Sequence, residues 1–578
     1  MRTDLCGSFR IDDVGRKIAV CGWVDRRREH GEHLAFIDLR DHSGVLQCVV
    51  DGAADLRSEY VLRITGTVTA RPADTANSGL STGEVELTDC EVEILNVASP
   101  PPFPLDGRQE VDETVRLRYR YVDLRRARMQ KNLRVRSTVN SALRSSMIAQ
   151  GFVEVETPML VASTPEGARD FVVPSRQSPG HFYALPQSPQ LFKQLCMIGG
   201  VDRYFQIARC LRDEDLRADR QFEFMQLDAE ASFVGQDDVL EFITEAVSAA
   251  AEAVTGARPD AFAMMTWHDA MERYGTDKPD TRFGMELVEL SQIFESTEAK
   301  VFQVPCIKGI CYRDGANTLG RNQIDDLTKR CQQWGAKGLA WFRVGEDGAL
   351  DGALTKFMAA DEVTQMAEAL DAAPGDLLLV IAAERPIVNR VLGNLRVELG
   401  RPPVSEGGLH FLWVIDFPMF ELAADGKTPT PMHHPFTMPH ESDLELLDSD
   451  DVLSVRAQAY DLVLNGWELG SGSVRIHRAD VQQKILELIG IGEAEGREKF
   501  GFLLDAFRFG APPHAGFAFG VDRLVAVLAG EDNIREVIAF PKTQSGSDPL
   551  TTAPTEIDAN HLEELGLRLL PQADEVHG

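Results

Sequence analysis

The sequence predicts an α+β protein of several domains, with a β-barrel at its N-terminus. The chain has 578 residues, whereas one domain typically takes about 150. Five short strand-like runs follow one another in the N-terminal part, and helical and strand-like runs are mixed after them. With 44% hydrophobic and 26% charged residues, the composition is globular and excludes a disordered, collagen-like or coiled-coil protein.

The composition also restricts where the protein works. The longest apolar runs, such as Leu377–Ala383, are far shorter than the roughly 18 residues of a membrane span. No apolar stretch of signal-peptide length follows Met1, so we expect a soluble, cytoplasmic protein. The nine cysteines form no CxxC pair, which favours reduced, mostly buried thiols over a disulfide framework or a zinc site.

The N-terminal strands predict a small barrel. Turn residues separate five segments of strand-like composition, namely 17–24, 33–39, 45–50, 60–70 and 85–95. Five strands in so short a stretch indicate a Greek-key barrel of the OB type. The proline-rich segment 99–104 can continue neither a sheet nor a helix, so we place the end of this domain at residue 104.

The remainder of the chain predicts one α+β domain that a second domain interrupts. Apolar residues recur at helical period from Met129 to Met147, and strand-like runs follow them. Between about 280 and 405 the sequence pattern changes to mixed helix and strand with glycine-rich turns, and a strand-rich pattern then resumes. We therefore expect a basic hinge at 105–136, a domain formed by 137–280 and 408–555, an insert at 281–407 and an extension at 556–578.

The charge distribution is uneven. The net charge of −31 argues against extensive coating by nucleic acid, because phosphate contacts require lysine and arginine. Nevertheless, residues 108–144 contain eleven Lys and Arg against four Asp and Glu. Two interpretations remain open for this basic stretch: a contact with nucleic acid, or a solvated helix face.

Three segments carry residues typical of a site for phosphates. The loop 209–221 contains four arginines, whose guanidinium groups suit bidentate binding of phosphate. In the strand after it, Phe224, Gln226 and Asp228 alternate onto one face and form a plausible ligand floor. The glycine-rich segment 470–477 follows Asp461 and Glu468, which could hold Mg²⁺.

These segments resemble the three motifs of class II aminoacyl-tRNA synthetases. Motif 1 corresponds to the strand ending at Pro158, motif 2 to the loop with Arg212 and Glu214, and motif 3 to the strand and helix with Gly520 and Arg523. Further segments resemble the bacterial-type aspartyl-tRNA synthetases of subclass b, namely 22–28, 36–41, 163–170, 187–194 and 433–436. The resemblance implies an OB-fold anticodon-binding barrel, a catalytic domain with an antiparallel sheet, and an inserted α/β domain called GAD.

The resemblance also implies the reaction and its components. Members of this family make aspartyl-adenylate from aspartate and ATP and then transfer the aspartyl group to tRNA. Mg²⁺ is the expected cofactor, tRNA(Asp) the expected partner, and tRNA(Asn) a second substrate if the enzyme is non-discriminating. A homodimer formed through motif 1 is expected as well.

Residue roles are carried over position by position. The ATP-binding residues are Arg212, Asp213, Glu214, Gln221, Phe224, Glu468, Gly520, Val521, Asp522 and Arg523. The aspartate-binding residues are Glu166, Ser188, Gln190, Lys193, Gln226, Asp228, His433 and Arg475. Catalysis falls to Arg212, Arg523, Glu468 and Lys193, Mg²⁺ binding to Asp461 and Glu468, and anticodon recognition to Arg28, His30, Phe36 and Gln47.

Two departures and several alternatives accompany this interpretation. Phe222 and Ser471 stand where the family usually has proline and glycine. Alternative functions are a non-catalytic tRNA-binding paralogue, a sister asparaginyl-type or lysyl-type synthetase, and an amidating enzyme on the same catalytic fold. For aspartate specificity, the resemblance implies a buried Arg475 in the amino-acid pocket, which an amide ligand would leave unpaired.

Overall fold

The chain forms two compact units, each with its own core. The structure is a computed structural model that describes residues 1–30, 34–52, 55–163, 168–423 and 425–570. The first unit comprises 1–131, 539–543 and 547–554, and the second comprises 132–538, 544–546 and 555–578. None of the nine cysteines, all within the described residues, forms a disulfide. No described helix combines the length and the apolar character that crossing a bilayer requires.

The first unit contains a closed five-stranded barrel, which confirms the predicted OB-type fold. Its strands in chain order are β1 (Lys17–His30), β2 (Leu34–Asp41), β3 (Gly44–Asp51), β4 (Val61–Ala70) and β5 (Val85–Asn96). They close in the order β1-β2-β3-β5-β4. Alternate residues of β2 point inward, and Ile37 and Leu39 are fully buried against Val20 and Ile64, as expected for strands with one face on a core.

Strand β1 is longer than the sequence predicted. It continues past Val24 through the three arginines to His30, with a register shift between Val24 and Arg26. The predicted end at residue 24 is wrong because the arginine-rich part still pairs with β2, where Arg28 lies opposite Phe36. The arginines are therefore presented from a strand and not from a loop.

Most of the basic stretch forms ion pairs within the protein. Asp123 is fully buried, and three arginines surround it: Arg120 at 2.6 Å, Arg126 at 3.5 Å and Arg116 at 3.6 Å. Arg116 is itself buried, whereas Arg118 is exposed. Neither of the two interpretations from the sequence anticipated this arrangement, in which much of the positive charge neutralises a buried carboxylate.

The second unit is organised around an eight-stranded sheet. The strands after the barrel are β6 (Val153–Glu154), β7 (Val172–Pro174), β8 (Phe182–Ala184), β9 (Arg203–Leu211), β10 (Glu223–Ser232), β11 (Ala263–Thr266), β12 (Val288–Glu289), β13 (Cys306–Tyr312), β14 (Ala340–Val344), β15 (Leu350–Asp351), β16 (Leu377–Ala383), β17 (Phe411–Ile415), β18 (Phe420–Leu422), β19 (Pro429–Pro431), β20 (Ala459–Leu464), β21 (Trp467–Val474) and β22 (His514–Gly520). The large sheet has the order β11-β17-β20-β21-β22-β10-β9-β6. Its pairs are antiparallel except at the two ends, which confirms the antiparallel sheet that the resemblance implied.

Helices cover one face of this sheet. The helices of the chain are α1 (Glu113–Arg118), α2 (Arg120–Asp123), α3 (Ala127–Ala149), α4 (Gln190–Ile198), α5 (Gln236–Thr255), α6 (Trp267–Tyr274), α7 (Gly315–Thr318), α8 (Arg321–Gln333), α9 (Ala360–Ala369), α10 (Arg385–Gly400), α11 (Ala479–Leu488), α12 (Glu493–Phe507), α13 (Val521–Ala529) and α14 (Ala559–Glu564). Ile243 of α5 and Leu524 of α13 pack in one core with Leu227 and Phe517 of the sheet. The polar residues that alternate with Leu227 on β10 therefore point away from these helices.

A separate five-stranded sheet lies between β11 and β17 in the chain. Its strand order is β12-β13-β16-β14-β15. Residues of α8 and α10 pack with Ile310 and Leu379 in one core, and α9 contributes Met366 to a second core with Phe342 and Val380. This sheet falls within the range predicted for the insert, whose limits, like those of the other domains, stay predictions.

Candidate active site

A cavity of about 720 Å³ lies in the second unit, beside β10, β21 and β22. Its size is ordinary for a small-molecule site. Most residues predicted to bind ATP or aspartate line it: Ser188, Gln190, Lys193, Arg212, Glu214, Gln221, Phe224, Gln226, Asp228, His433, Glu468, Arg475, Gly520, Asp522 and Arg523. The segments that contain them are distant in the sequence, and the antiparallel pairing of β10, β21 and β22 brings them together.

Three of the predicted residues that the structure describes do not line the cavity. Val521 is buried in the hydrophobic core, and Asp213 lies 3.8 Å from Arg169 in an ion pair. Asp461 is buried opposite Ser471 on the neighbouring strand. Glu166 lies outside the described residues.

One end of the cavity contains a buried cluster of two cations and two carboxylates. Lys193 Nζ lies 2.5 Å from Asp228 Oδ1 and 3.2 Å from Glu230 Oε2. Arg475 donates from Nε to Glu230 Oε1 at 2.9 Å and from Nη2 to Glu230 Oε2 at 3.2 Å. All four side chains are almost completely buried, and their formal charges cancel.

The cluster shifts the pKa values of its two carboxyl groups in opposite directions. Burial raises the pKa of Asp228, and the nearby Lys193 only partly offsets this effect. Burial alone would also raise the pKa of Glu230, but Arg475 and Lys193 outweigh it and lower that pKa to about 2. Glu230 is therefore ionised at neutral pH and serves as the permanent partner of Arg475.

Glu230 was not among the residues predicted from the sequence. It lies two positions beyond Asp228 on β10, on the same face as Phe224 and Gln226, so the alternation that indicated those residues could have indicated it too. The expectation that an amide ligand would leave Arg475 unpaired is wrong, because Glu230 pairs with it in bidentate fashion.

Two neighbouring histidines complete this end of the cavity. Arg475 Nη1 lies 2.7 Å from His434 Nε2, and burial together with this guanidinium holds the pKa of His434 well below its usual value. His433 Nδ1 lies 3.2 Å from the hydroxyl of Ser471, and burial lowers the pKa of His433 as well. Both imidazoles are therefore neutral at pH 7. Ser471, which stands where the family usually has glycine, gives His433 a hydrogen-bond partner.

The other end of the cavity is lined by arginines and one aromatic ring. The Arg212 guanidinium lies 5.2 Å from the centre of the Phe224 ring. Arg523 donates from Nη1 to the Glu468 carbonyl at 2.6 Å, and its Nη2 lies 3.2 Å from Asp219 Oδ2. Such cations over and beside an aromatic floor can bind a planar base and its phosphates.

Asp522 has a structural role at this end of the cavity. Its side chain is buried, and its Oδ2 accepts a hydrogen bond from the backbone nitrogen of Met225 at 2.8 Å. Arg136 also bonds its carboxylate. Asp522 thereby attaches the start of α13 to the strand that carries Phe224.

The pair Asp461 and Glu468 fits a divalent cation. Asp461 is buried, and its Oδ1 has no hydrogen-bond partner among the described residues. Burial and the neighbouring Glu468 raise the pKa of Asp461 well above its usual value, and the nearby Lys278 only partly offsets this effect. No group of three or more potential ligands occurs among the described residues, but Mg²⁺ commonly uses one or two carboxylates together with phosphates.

The residues predicted to read the anticodon lie together on the barrel. Arg28 Nη2 donates to Asp38 Oδ1 at 2.8 Å and to Gln47 Oε1 at 2.9 Å. Its guanidinium lies 6.0 Å from the centre of the Phe36 ring. The neighbouring strands place Arg28 opposite Phe36 and Asp38 opposite Gln47. The side chain of His30 lies outside the described part of the structure.

Known proteins resemble this chain over almost its whole length. Aspartate–tRNA(Asp/Asn) ligase of Aquifex aeolicus is 47% identical, with 98% of each chain covered. The ligase of the same name from Thermobifida fusca is 48% identical, with 99% of each chain covered. The asparaginyl-tRNA synthetase from Pyrococcus horikoshii complexed with asparaginyl-adenylate shares the fold, with a TM-score of 0.57 at 18% identity over 93% of this chain and 98% of that one.

Two family descriptions match as well. The description "OB-fold nucleic acid binding domain" matches residues 18–95, and "tRNA synthetases class II (D, K and N)" matches residues 112–544. The second match covers most of the chain and includes every residue that lines the cavity. The chain belongs to the class II tRNA synthetases of the D, K and N family.

Proposed function

We propose that this protein is a cytoplasmic enzyme that attaches L-aspartate to tRNA(Asp) through an aspartyl-adenylate, at the expense of ATP. Its full-length relatives are named aspartate–tRNA(Asp/Asn) ligases, so we include tRNA(Asn) as a second substrate. One observation carries the proposal: the same cavity has the buried cluster of Lys193 and Arg475 at one end. Arg212, Phe224 and Arg523 line its other end.

In the first step, the aspartate α-carboxylate attacks the α-phosphate of ATP, and the bond from the α-phosphorus to the α–β bridging oxygen breaks, so that aspartyl-adenylate forms and pyrophosphate leaves. Two anions must approach each other, so cationic side chains and positioning supply most of the rate enhancement. Arg212 and Arg523 border the nucleotide end and would stabilise the charge that develops on phosphate. No general base is needed, because the attacking carboxylate is already ionised at pH 7. Asp461 and Glu468 would hold Mg²⁺, which neutralises phosphate charge when bound.

Polar atoms without partners support the placement of aspartate. Asp228 Oδ2 accepts no hydrogen bond from the described residues, and Gln190 Nε2 donates none to them. Because buried polar atoms are rarely left unsatisfied, a ligand with both donors and acceptors is expected here. The α-ammonium group would donate to Asp228, and the side-chain carboxylate would accept from Gln190 and from the cations around it.

The cluster changes the basis of discrimination against asparagine. Glu230 already neutralises Arg475, so selection cannot depend on an unpaired arginine. The donors of Lys193 and Arg475 are already bonded within the cluster, and the neutral His434 is occupied as an acceptor by Arg475. We assign discrimination instead to the two N–H donors of Gln190 Nε2, which have no acceptor among the described residues. An amide NH₂ group would meet these donors without an acceptor, and such a mismatch costs affinity.

The barrel and a dimer complete the proposal. Phe36 would stack on an anticodon base, with Arg28 and Gln47 contacting base edges, as OB-folds commonly do with single strands. A homodimer through motif 1 is supported by exposed apolar side chains beside Pro158: Val153 and Leu160 are both 53% exposed. Apolar exposure of this kind is typical of an interface.

The test is charging with labelled aspartate, ATP and Mg²⁺ on tRNA(Asp) and tRNA(Asn) side by side. Charging of both tRNAs is expected, and charging of tRNA(Asp) alone would remove the second substrate. Charging with asparagine and not with aspartate would favour the sister asparaginyl-type enzyme. Failure with both amino acids, by a protein that still binds tRNA, would favour the non-catalytic paralogue.

A further inference from the structure

A lysine lies at the carboxylates assigned to the divalent cation. Lys278 Nζ is 3.5 Å from Glu468 Oε2 and 3.8 Å from Asp277 Oδ1. Asp461, buried beside Glu468, adds a third carboxyl group to the electrostatic environment of this ammonium.

The backbone on both sides of Lys278 is held by tight contacts, whereas its side chain is partly exposed. A β-carbon at Gly275, whose φ is +69°, would collide with the carbonyl oxygen of Asn389. The backbone just before Lys278 is therefore packed closely against α10. Arg396, fully buried, donates to the carbonyl of Asp280 at 2.8 Å. Between these two anchors, the Lys278 side chain remains 46% exposed, and its flexible four-carbon stem permits the ammonium to move.

We infer that Lys278 is an internal counter-cation that a divalent ion displaces. The inference rests on the proposed function, because it takes Asp461 and Glu468 as the metal-binding pair. An ammonium and a hard divalent cation compete for the same carboxylate oxygens, and the two positive charges repel each other at such distances. Lys278 therefore neutralises Glu468 in the free enzyme and lowers its affinity for metal until the nucleotide adds phosphate oxygens to the site.

Direct binding of Mn²⁺ to the nucleotide-free, full-length protein tests this role. Electron paramagnetic resonance counts the bound ion without any need for turnover. Lys278→Gln should tighten Mn²⁺ binding by about two- to fivefold, the range expected for removal of a partly exposed ion pair. Lys278→Arg keeps the charge and should bind Mn²⁺ like the wild type. Lys329→Gln removes a lysine from an exposed pair with Asp326 and serves as the matched control.

The Glu468→Gln background shows whether the effect arises at this site. If Lys278 competes for Glu468, adding Lys278→Gln to Glu468→Gln should give no further gain in affinity. Unchanged or weaker Mn²⁺ binding by the single Lys278→Gln variant would overturn the inference, and so would the absence of detectable binding by both that variant and the wild type. Aspartate charging by the wild type, assayed in parallel, reports on the proposed function independently of these titrations.

Discussion

Glu230 determines the charge state of the end of the cavity that we propose binds aspartate. It is the only described carboxylate with an ion pair to both Lys193 and Arg475, and it stays ionised because its pKa is lowered to about 2. The alternation of β10 was readable from the sequence. The convergence of Lys193 on α4 and of Arg475, the residue after β21, on this one side chain was not readable, because the contact with Arg475 depends on strand pairing between segments hundreds of residues apart.

Glu230→Gln is expected to impair both stability and aspartate binding. The variant leaves two buried cations with only Asp228 as an anion, and breaking a buried pair in this way costs about 3 kcal/mol or more. Urea unfolding should show that loss, and aspartate-dependent pyrophosphate exchange should show a raised KM for aspartate. Glu223→Gln on the same strand breaks an exposed pair with Arg209 and should cost less than about 1 kcal/mol. Equal effects of the two variants would contradict the role of Glu230.

The neutral histidines make stability depend on pH. Burial lowers the pKa values of His433, His434 and His514. Below their ordinary pKa of about 6.5, the unfolded chain takes up protons that the folded chain does not, so stability is fully present above that pH and falls as the pH drops.

His434→Gln isolates one of these contributions. Glutamine keeps an acceptor for Arg475 but cannot be protonated. Between pH 7.5 and 5.5 the variant should therefore lose about 1 kcal/mol less unfolding free energy than the wild type, as measured by urea unfolding at both pH values. The same substitution at His561, on the exposed helix α14, should leave the pH dependence unchanged. An unchanged slope in His434→Gln would mean that His434 takes up protons equally in the folded and the unfolded protein.

At the scale of elements, the strand β1 and the helices α1 and α2 show how local patterns mislead. The sequence prediction ended the first strand before the three consecutive arginines, yet pairing with β2 keeps them in the sheet. The basic stretch has the composition of a solvated face or of a surface for nucleic acid. A single buried aspartate, Asp123, instead organises three of its arginines, and the burial of Asp123 is a tertiary property.

Charge reversal in α1 separates the structural arginine from the exposed one. Arg116→Glu places a second carboxylate beside the buried Asp123 and should destabilise the first unit by about 3 kcal/mol or more. Arg118→Glu, on the exposed side of the same helix, should change stability by less than about 0.5 kcal/mol and weaken tRNA binding by about threefold or more. Urea unfolding and filter binding distinguish the two. Unchanged tRNA affinity in Arg118→Glu would leave this helix with a structural role alone.

At the scale of the whole molecule, the residues predicted to bind tRNA and those that line the cavity lie in different units. Arg28, Phe36 and Gln47 belong to the first, and every residue that lines the cavity belongs to the second. The proline-rich segment and the change in sequence pattern made a division readable from the sequence. The sequence did not reveal that residues 539–543 belong to the first unit. This depends on tertiary contacts such as the hydrogen bond from Arg120 Nε to the Ala539 carbonyl at 2.9 Å.

Phe36→Ala should therefore affect one half of the reaction and leave the other intact. Stacking of an aromatic side chain on one base contributes about 1 to 3 kcal/mol, so the KM for tRNA in aspartate charging should rise at least about fivefold. Aspartate-dependent pyrophosphate exchange, which needs only the cavity, should stay at the wild-type rate. Arg63→Ala removes an exposed pair with Glu93 elsewhere on the barrel and should alter neither assay. A parallel loss of pyrophosphate exchange in Phe36→Ala would mean that the barrel contributes to adenylate formation, and the assignment of separate tasks to the two units would then fail.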